Sequence, residues 1–227
     1  MPDTSLTSAA AGFADRTLAD LATSLPGATA VFRRSKLDFC CGGQITLAEA
    51  VAGKQLALAE LESELAAIAA QGGTPPSAES TVALIELIET RYHAVHRREL
   101  PELIRLARRV EAVHKDKPDV PRGLADLLEQ IATELDSHMQ KEERVLFPIM
   151  RRYGQATLAQ PIAAMLADHE DHGALLRELE TLTDSFAPPA GACTTWRALY
   201  SGGSKFAEDL VQHIHTENNL LFPRFTH

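Results

Sequence analysis

The 227-residue sequence is poor in cysteine, with three in all, two of them adjacent. Neighbouring cysteines rarely bridge, so no disulfide framework is expected and the chain reads as a reduced protein. Basic residues are also scarce: 22 Lys and Arg face 31 Asp and Glu, a net charge of −9. That balance argues against gripping a phosphate backbone or an anionic membrane surface, so neither nucleic acid nor membrane is an expected partner. No run approaches the ~18 consecutive apolar residues of a membrane-spanning helix. Met1-Pro2-Asp3-Thr4 lacks the basic stretch and apolar segment of an export signal, and the expected location is the cytoplasm. Runs alternating polar and β-branched residues are almost missing. Ala, Leu and Glu dominate instead, which predicts an all-α chain.

What is present divides at one clear linker, Gln71-Gly72-Gly73-Thr74-Pro75-Pro76-Ser77. Before it, a small N-terminal domain over 1–72 is expected to hold short helices between Asp15 and Ala70. One precedes Pro26, one runs Ala28–Arg34, and one or two follow Thr46, a residue suited to N-capping. After the linker, residues 80–227 carry four long helical patterns: Ser80 to His114, with Pro101 expected to kink or restart it; Pro121 to Tyr153; Ala156 to Phe186; and Thr194 to Phe225. Four long helices with short polar connections predict an up-down four-helix bundle.

The bundle region repeats internally. His138, Glu142, Leu146, Phe147 and Pro148 share the frame HxxxExxxLFP with His213, Glu217, Leu221, Phe222 and Pro223, offset by 75 residues. Upstream, the HxxH pair His93 and His96 matches His169 and His172, offset by 76. Each half therefore supplies an HxxH helix followed by an HxxxE helix. Residues four apart share a helix face, so His138 projects with Glu142 and His213 with Glu217. That face is the apolar one. The line Leu124, Leu128, Ile131, Leu135, His138, Glu142, Val145, Ile149 steps by fours and threes, as does Phe206, Leu210, His213, Glu217, Leu220, and His169 sits on the line Ile162, Met165, His169, Leu176.

Unpaired polar groups in a core cost a few kcal/mol each, and ionised carboxylates more. Several His and Glu converging there require a cation. A lone HxxxE on a helix is ordinarily a solvated pair, but two copies in core register, each with its upstream HxxH, read as a metal centre. Imidazoles and carboxylates on facing helices form a recurrent dinuclear solution in which the carboxylates bridge two ions. This donor mixture suits iron best, with manganese and zinc as alternatives. Spacing alone does not choose between the two histidines of each HxxH.

The HHE pattern over 80–227 resembles a hemerythrin-like domain. Together with Asp38-Phe39-Cys40-Cys41-Gly42-Gly43, Arg91-Tyr92-His93, Ser137-His138-Met139, Lys141-Glu142-Glu143 and Ala192-Cys193-Thr194-Thr195-Trp196, it is similar to the repair-of-iron-centres (RIC) family of YtfE/ScdA-type proteins over nearly the whole chain. The resemblance implies a non-haem di-iron centre, two Fe ions with an oxo bridge, held by His93, His138, Glu142, His169, His213 and Glu217, with the two glutamates bridging. It thereby favours the first histidine of each HxxH and leaves His96 and His172 outside the ligand set. It also implies a stress-response protein that helps restore iron–sulfur clusters damaged by nitric oxide or oxidants, acting on the damaged cluster proteins and on a small diatomic such as NO or O2, as a monomer or homodimer. Alternatives are a di-iron enzyme that reduces nitric oxide and an O2- or NO-binding sensor or carrier. The shell is less histidine-rich than that of a hemerythrin oxygen carrier, and a bare carrier needs no cysteine-bearing domain; both points favour repair or chemistry over carriage.

Four further features carry expectations. Glu134 lies one turn before His138 on the same face; the resemblance implies a residue that orients ligands or helps pass ions, and the alternative is part of an ordinary polar layer. Asp168 stands where the family often has Glu. Cys193 begins the last helix and reads as structural. Cys40 and Cys41 form the other functional candidate: a thiol site for nitrosyl groups, electrons or iron, with Arg33, Arg34 and Lys36 near enough in sequence to favour thiolate, on a block that the Gly72-Gly73 linker lets swing.

Overall fold

The computed structural model describes residues 12–152 and 158–226. Among them the regular elements are all helical, and the sole strand-like feature is an isolated bridge between Thr17 and Thr46. The chain divides between Ala78 and Glu79 into two compact units.

The first unit contains α1 (Leu18–Ser24), α2 (Ala28–Arg34), α3 (Leu47–Gly53) and α4 (Leu58–Gln71). The Thr17 side chain caps α1 by accepting from the Asp20 amide. Thr46 caps α3 as its sequence predicts, and Glu49 reaches back to the Thr46 amide to complete a capping box. These short helices are held by their common core, which includes Leu18, Leu21, Phe32, Phe39, Leu47 and Leu65, rather than by their own propensity. The cysteine loop joins α2 to α3. A Cβ on Gly43 would stand 2.5 Å from the Phe39 carbonyl oxygen, so that turn admits only glycine.

The second unit is the four-helix bundle. Its first helix is α5 (Thr81–Leu87), a π-helical turn Ile88–His93, and α6 (Ala94–Val113). The second is α7 (Leu124–Lys141), a π turn Glu142–Leu146, and α8 (Phe147–Arg152). The third is α9 (Ala159–Leu182), and the fourth is α10 (Thr194–His215) with a π turn Thr216–Leu221 and a final 3-10 turn Phe222–Phe225. α6 packs against α7 and α10, and α7 against α9.

Several expected features differ. Pro101 does not restart its helix: it sits exposed inside a continuous α6. The irregular turn lies earlier, at Ile88–His93. The third helix stops at Leu182 rather than Phe186, because Asp184, Ser185 and Phe186 turn left-handed (φ 49°, 53° and 61°) and the Ser185 amide closes onto the Glu180 carbonyl at 2.7 Å. Val145 is 57% exposed, off the stripe on which its spacing placed it. A π turn adds one residue, which rotates the following side chains by about 100° and brings Leu146 inward instead. The expected boundaries at Tyr153 and Ala156 lie outside the described residues.

Candidate metal centre

All six histidines and glutamates expected as ligands are buried, none more than 1% exposed. Two apolar layers enclose them. One, reached before His93 and His169 and after Glu142 and Glu217, holds Ile85, Ile88, Phe147, Ile162, Leu221 and Phe222. The other comes from the opposite stretches of the same helices and includes Leu100, Leu128, Leu135, Leu176, Phe206 and Leu210. Three of the four helices carry a π turn where the motif sits, at His93, at Glu142 and at Glu217. Such turns recur at functional sites because they re-aim side chains without breaking the helix.

Within this layer the donors form two groups that share both carboxylates. His93, Glu142, His213 and Glu217 bring their donor atoms within 4.8 Å of one another, and so do His138, Glu142, His169 and Glu217. The Nε2 atoms of His93 and His213 lie 3.0 Å apart, and those of His138 and His169 lie 3.1 Å apart. Glu142 Oε2 is 3.3 Å from the Nε2 of both His93 and His138. Glu217 divides its oxygens: Oε1 is 2.9 Å from His213 Nε2 and Oε2 is 3.0 Å from His169 Nε2. Each carboxylate thus faces one histidine of either group.

The outer nitrogens orient the rings. His93 Nδ1 meets Glu143 at 2.8 Å, His138 Nδ1 meets Asp168 at 3.2 Å and His169 Nδ1 meets Asn218 at 2.6 Å. An acceptor on Nδ1 places the proton there and leaves the inward Nε2 lone pair free for a cation. Aromatic rings stack on three of the four: Phe147 on His93, Phe222 on His169 and Tyr92 on His213. Arg97 holds Glu143 at 2.6 Å, and Lys141 holds Asp168 at 2.8 Å.

Protonation follows the burial. Burial, with His213 nearby, pushes His93 down to about 3, and burial lowers His169 too. His138 is equally buried, yet the Glu142 charge beside it, with Asp168 and Glu217, raises it to about 10. Glu142 is raised by burial and then by Glu217. Burial also acts on Glu217, but His213, His138 and His169 surround it and hold it low. Two adjacent buried carboxylates cannot both ionise without a compensating cation. Both Glu142 oxygens are buried without a hydrogen-bond partner, although two imidazole nitrogens face Oε2. Lone pairs from six side chains converge on space that no protein proton fills well, and the cluster fits metal ions.

His96 and His172 lie outside both groups. They are 1% and 4% exposed and pack beside the ligand-type rings, His96 against His213 and His172 against His138. Burial pushes each down to about 3. Glu134 is half-buried, accepts from Gln130 Nε2 at 2.9 Å and joins neither donor group. It lines a cleft of about 450 Å³ with Ser137, Lys141, Asp168, Asp171 and His172. Asp168 stands between that cleft and the cluster, held well below the usual carboxylate range by its bond to His138 and by Lys141. Sequence reasoning passed over Glu143 and Asn218. Their signal was available, since each directly follows the glutamate of its own repeat.

In the first unit Asp38, Cys40 and Cys41 form a third donor group. Asp38 Oδ1 accepts from the amides of Cys40 at 3.2 Å and Cys41 at 3.0 Å, and the two sulfurs lie 3.6 Å apart. The Cys40 thiol is raised by the contact with Cys41, by burial and by the Asp38 charge, while Arg34 pairs with Glu64. Cys193 is exposed, with its sulfur 3.2 Å from His114 Nε2.

Known proteins share both units. Residues 84–225 match the hemerythrin HHE cation-binding domain, and residues 14–69 match the ScdA_N domain, described as of unknown function. The iron-sulfur cluster repair protein YtfE of Edwardsiella ictaluri is 49% identical over 217 residues, which cover 93% of this chain and 97% of that protein. The YtfE proteins of Pectobacterium atrosepticum and Citrobacter koseri are 48% and 46% identical, each over 93% of this chain and 97% of their own length. The chain therefore belongs to the hemerythrin HHE cation-binding family, in the branch that contains the YtfE iron-sulfur cluster repair proteins.

Proposed function

We propose that this protein repairs iron–sulfur clusters damaged by nitrosative or oxidative stress, from a non-haem centre of two oxo-bridged iron ions per chain. One observation carries the reading: four imidazoles and two shared carboxylates converge in a buried core, in a chain nearly half identical to proteins named for this repair. His93 and His213 would hold one ion and His138 and His169 the other, with Glu142 and Glu217 between them. Bound iron supplies a redox-active, exchangeable centre that can meet a diatomic such as NO or O2, or leave as cargo. The chain's own residues do the remainder. Glu143, Asp168 and Asn218 fix the imidazole tautomers, the stacked rings keep bulk water out, and the acidic cleft at Glu134 and Asp168 gives a cation a polar approach. Among the described residues no helix is long and apolar enough to cross a membrane. We place the work in the cytoplasm, with damaged iron–sulfur proteins as clients, and we assign the repair partnership to two domains, 1–72 and 80–227.

The test is iron transfer. Protein loaded with labelled iron, incubated with an NO-damaged iron–sulfur enzyme, should restore that enzyme and pass it the label. Consumption of NO with a reductant, without label transfer, would instead make the chain a gas-reducing enzyme. In the same assay Cys40→Ser with Cys41→Ser should leave iron content and the optical spectrum unchanged while repair slows several-fold. Normal repair by that double variant makes the cysteines packing residues.

A further inference from the structure

The repeat gives the centre a two-fold plan, and one position breaks it. Three of the four inward histidines have an acceptor on Nδ1: Glu143 for His93, Asp168 for His138 and Asn218 for His169. His213 Nδ1 is buried with no partner. The cause lies in the sequence. Glu143 and Asn218 are equivalent in the repeat and serve equivalent histidines. Asp168 and Tyr92 are equivalent too, each directly preceding the first histidine of its HxxH pair, but they differ in chemistry. Asp168 offers His138 a carboxylate, whereas Tyr92 lays its ring flat on His213, with centroids 5.4 Å and planes 15° apart. Stacking excludes water and restrains the ring, but it neither fixes the tautomer nor strengthens Nε2 as a donor. Removing an outer acceptor of this kind typically costs about 10–100-fold in metal affinity.

Resting on the di-iron reading above, we propose that the two ions are held unequally, with Asp168 and Tyr92 as the positioning residues that set the difference. The ion between His138 and His169 is retained, and the ion between His93 and His213 leaves first. This gives a centre that can release one equivalent without dismantling its other half.

Chelation of the iron-loaded full chain tests this directly. Released iron, followed by absorbance, should appear in two phases of one ion each, with rates separated by roughly 10–100-fold. His213→Ala should abolish the fast phase and keep one slow ion; His169→Ala should abolish the slow one. Asp168→Ala should still bind two ions but speed the slow phase by about 10–100-fold. Asp168→Asn should restore the slow phase, since an amide oxygen serves His169 through Asn218. A role confined to the ion pair with Lys141 would not be rescued by that amide. Tyr92→Phe keeps the ring and should move neither phase. Two ions leaving together, or a fast phase surviving in His213→Ala, overturns the proposal. If either ligand variant loses both ions, an unchanged slow phase in Asp168→Ala overturns it. Fewer than two ions in the unaltered chain refutes the di-iron reading, and the inequality falls with it.

Discussion

Glu142→Leu should fold into the same bundle and hold no metal pair. Glu142 faces a histidine of each donor group through one oxygen, 3.3 Å from both His93 and His138, so its loss strikes both ions at once. The affinity loss should exceed the roughly 10–100-fold typical of outer-shell partners. Glu217→Leu should lose the metal pair in the same way.

The second large effect separates two histidines three residues apart. His93→Ala should lose the ion it shares with His213, because His93 Nε2 sits inside that donor group. His96→Ala should keep nearly its full iron content and pay only in packing, roughly 2–5 kcal/mol for a buried side chain cut to alanine. His96 packs on Phe206 and His213 at ring separations of 5.3 and 5.4 Å without joining either donor group. The same contrast should hold between His169 and His172. Iron loss in His96→Ala as complete as in His93→Ala would put the ligand choice within HxxH in error.

Helix type and the core register of His138, Glu142, His213 and Glu217 were legible in the sequence because two independent motifs repeat at almost one spacing. The register failed at Val145, because a π turn has no periodicity of its own to reveal it. Pro101 does not end its helix, because whether a proline interrupts a helix or is carried within it is decided by tertiary packing and not by the residue alone. At Cys40 the Asp38 turn adds a carboxylate and the second thiol, neighbours that sequence proximity to three cations did not reveal. The outer acceptors were legible in hindsight through the same repeat, Glu143 with Asn218 and Asp168 with Tyr92. The unequal effects of that last pair emerge only when the rings are placed.

Metal content per purified chain tests the central claim most directly. Protein made in iron-rich medium and analysed for all transition metals should contain two iron ions per chain, falling to none in Glu142→Leu. A reproducible single ion, or zinc alone, would contradict the account.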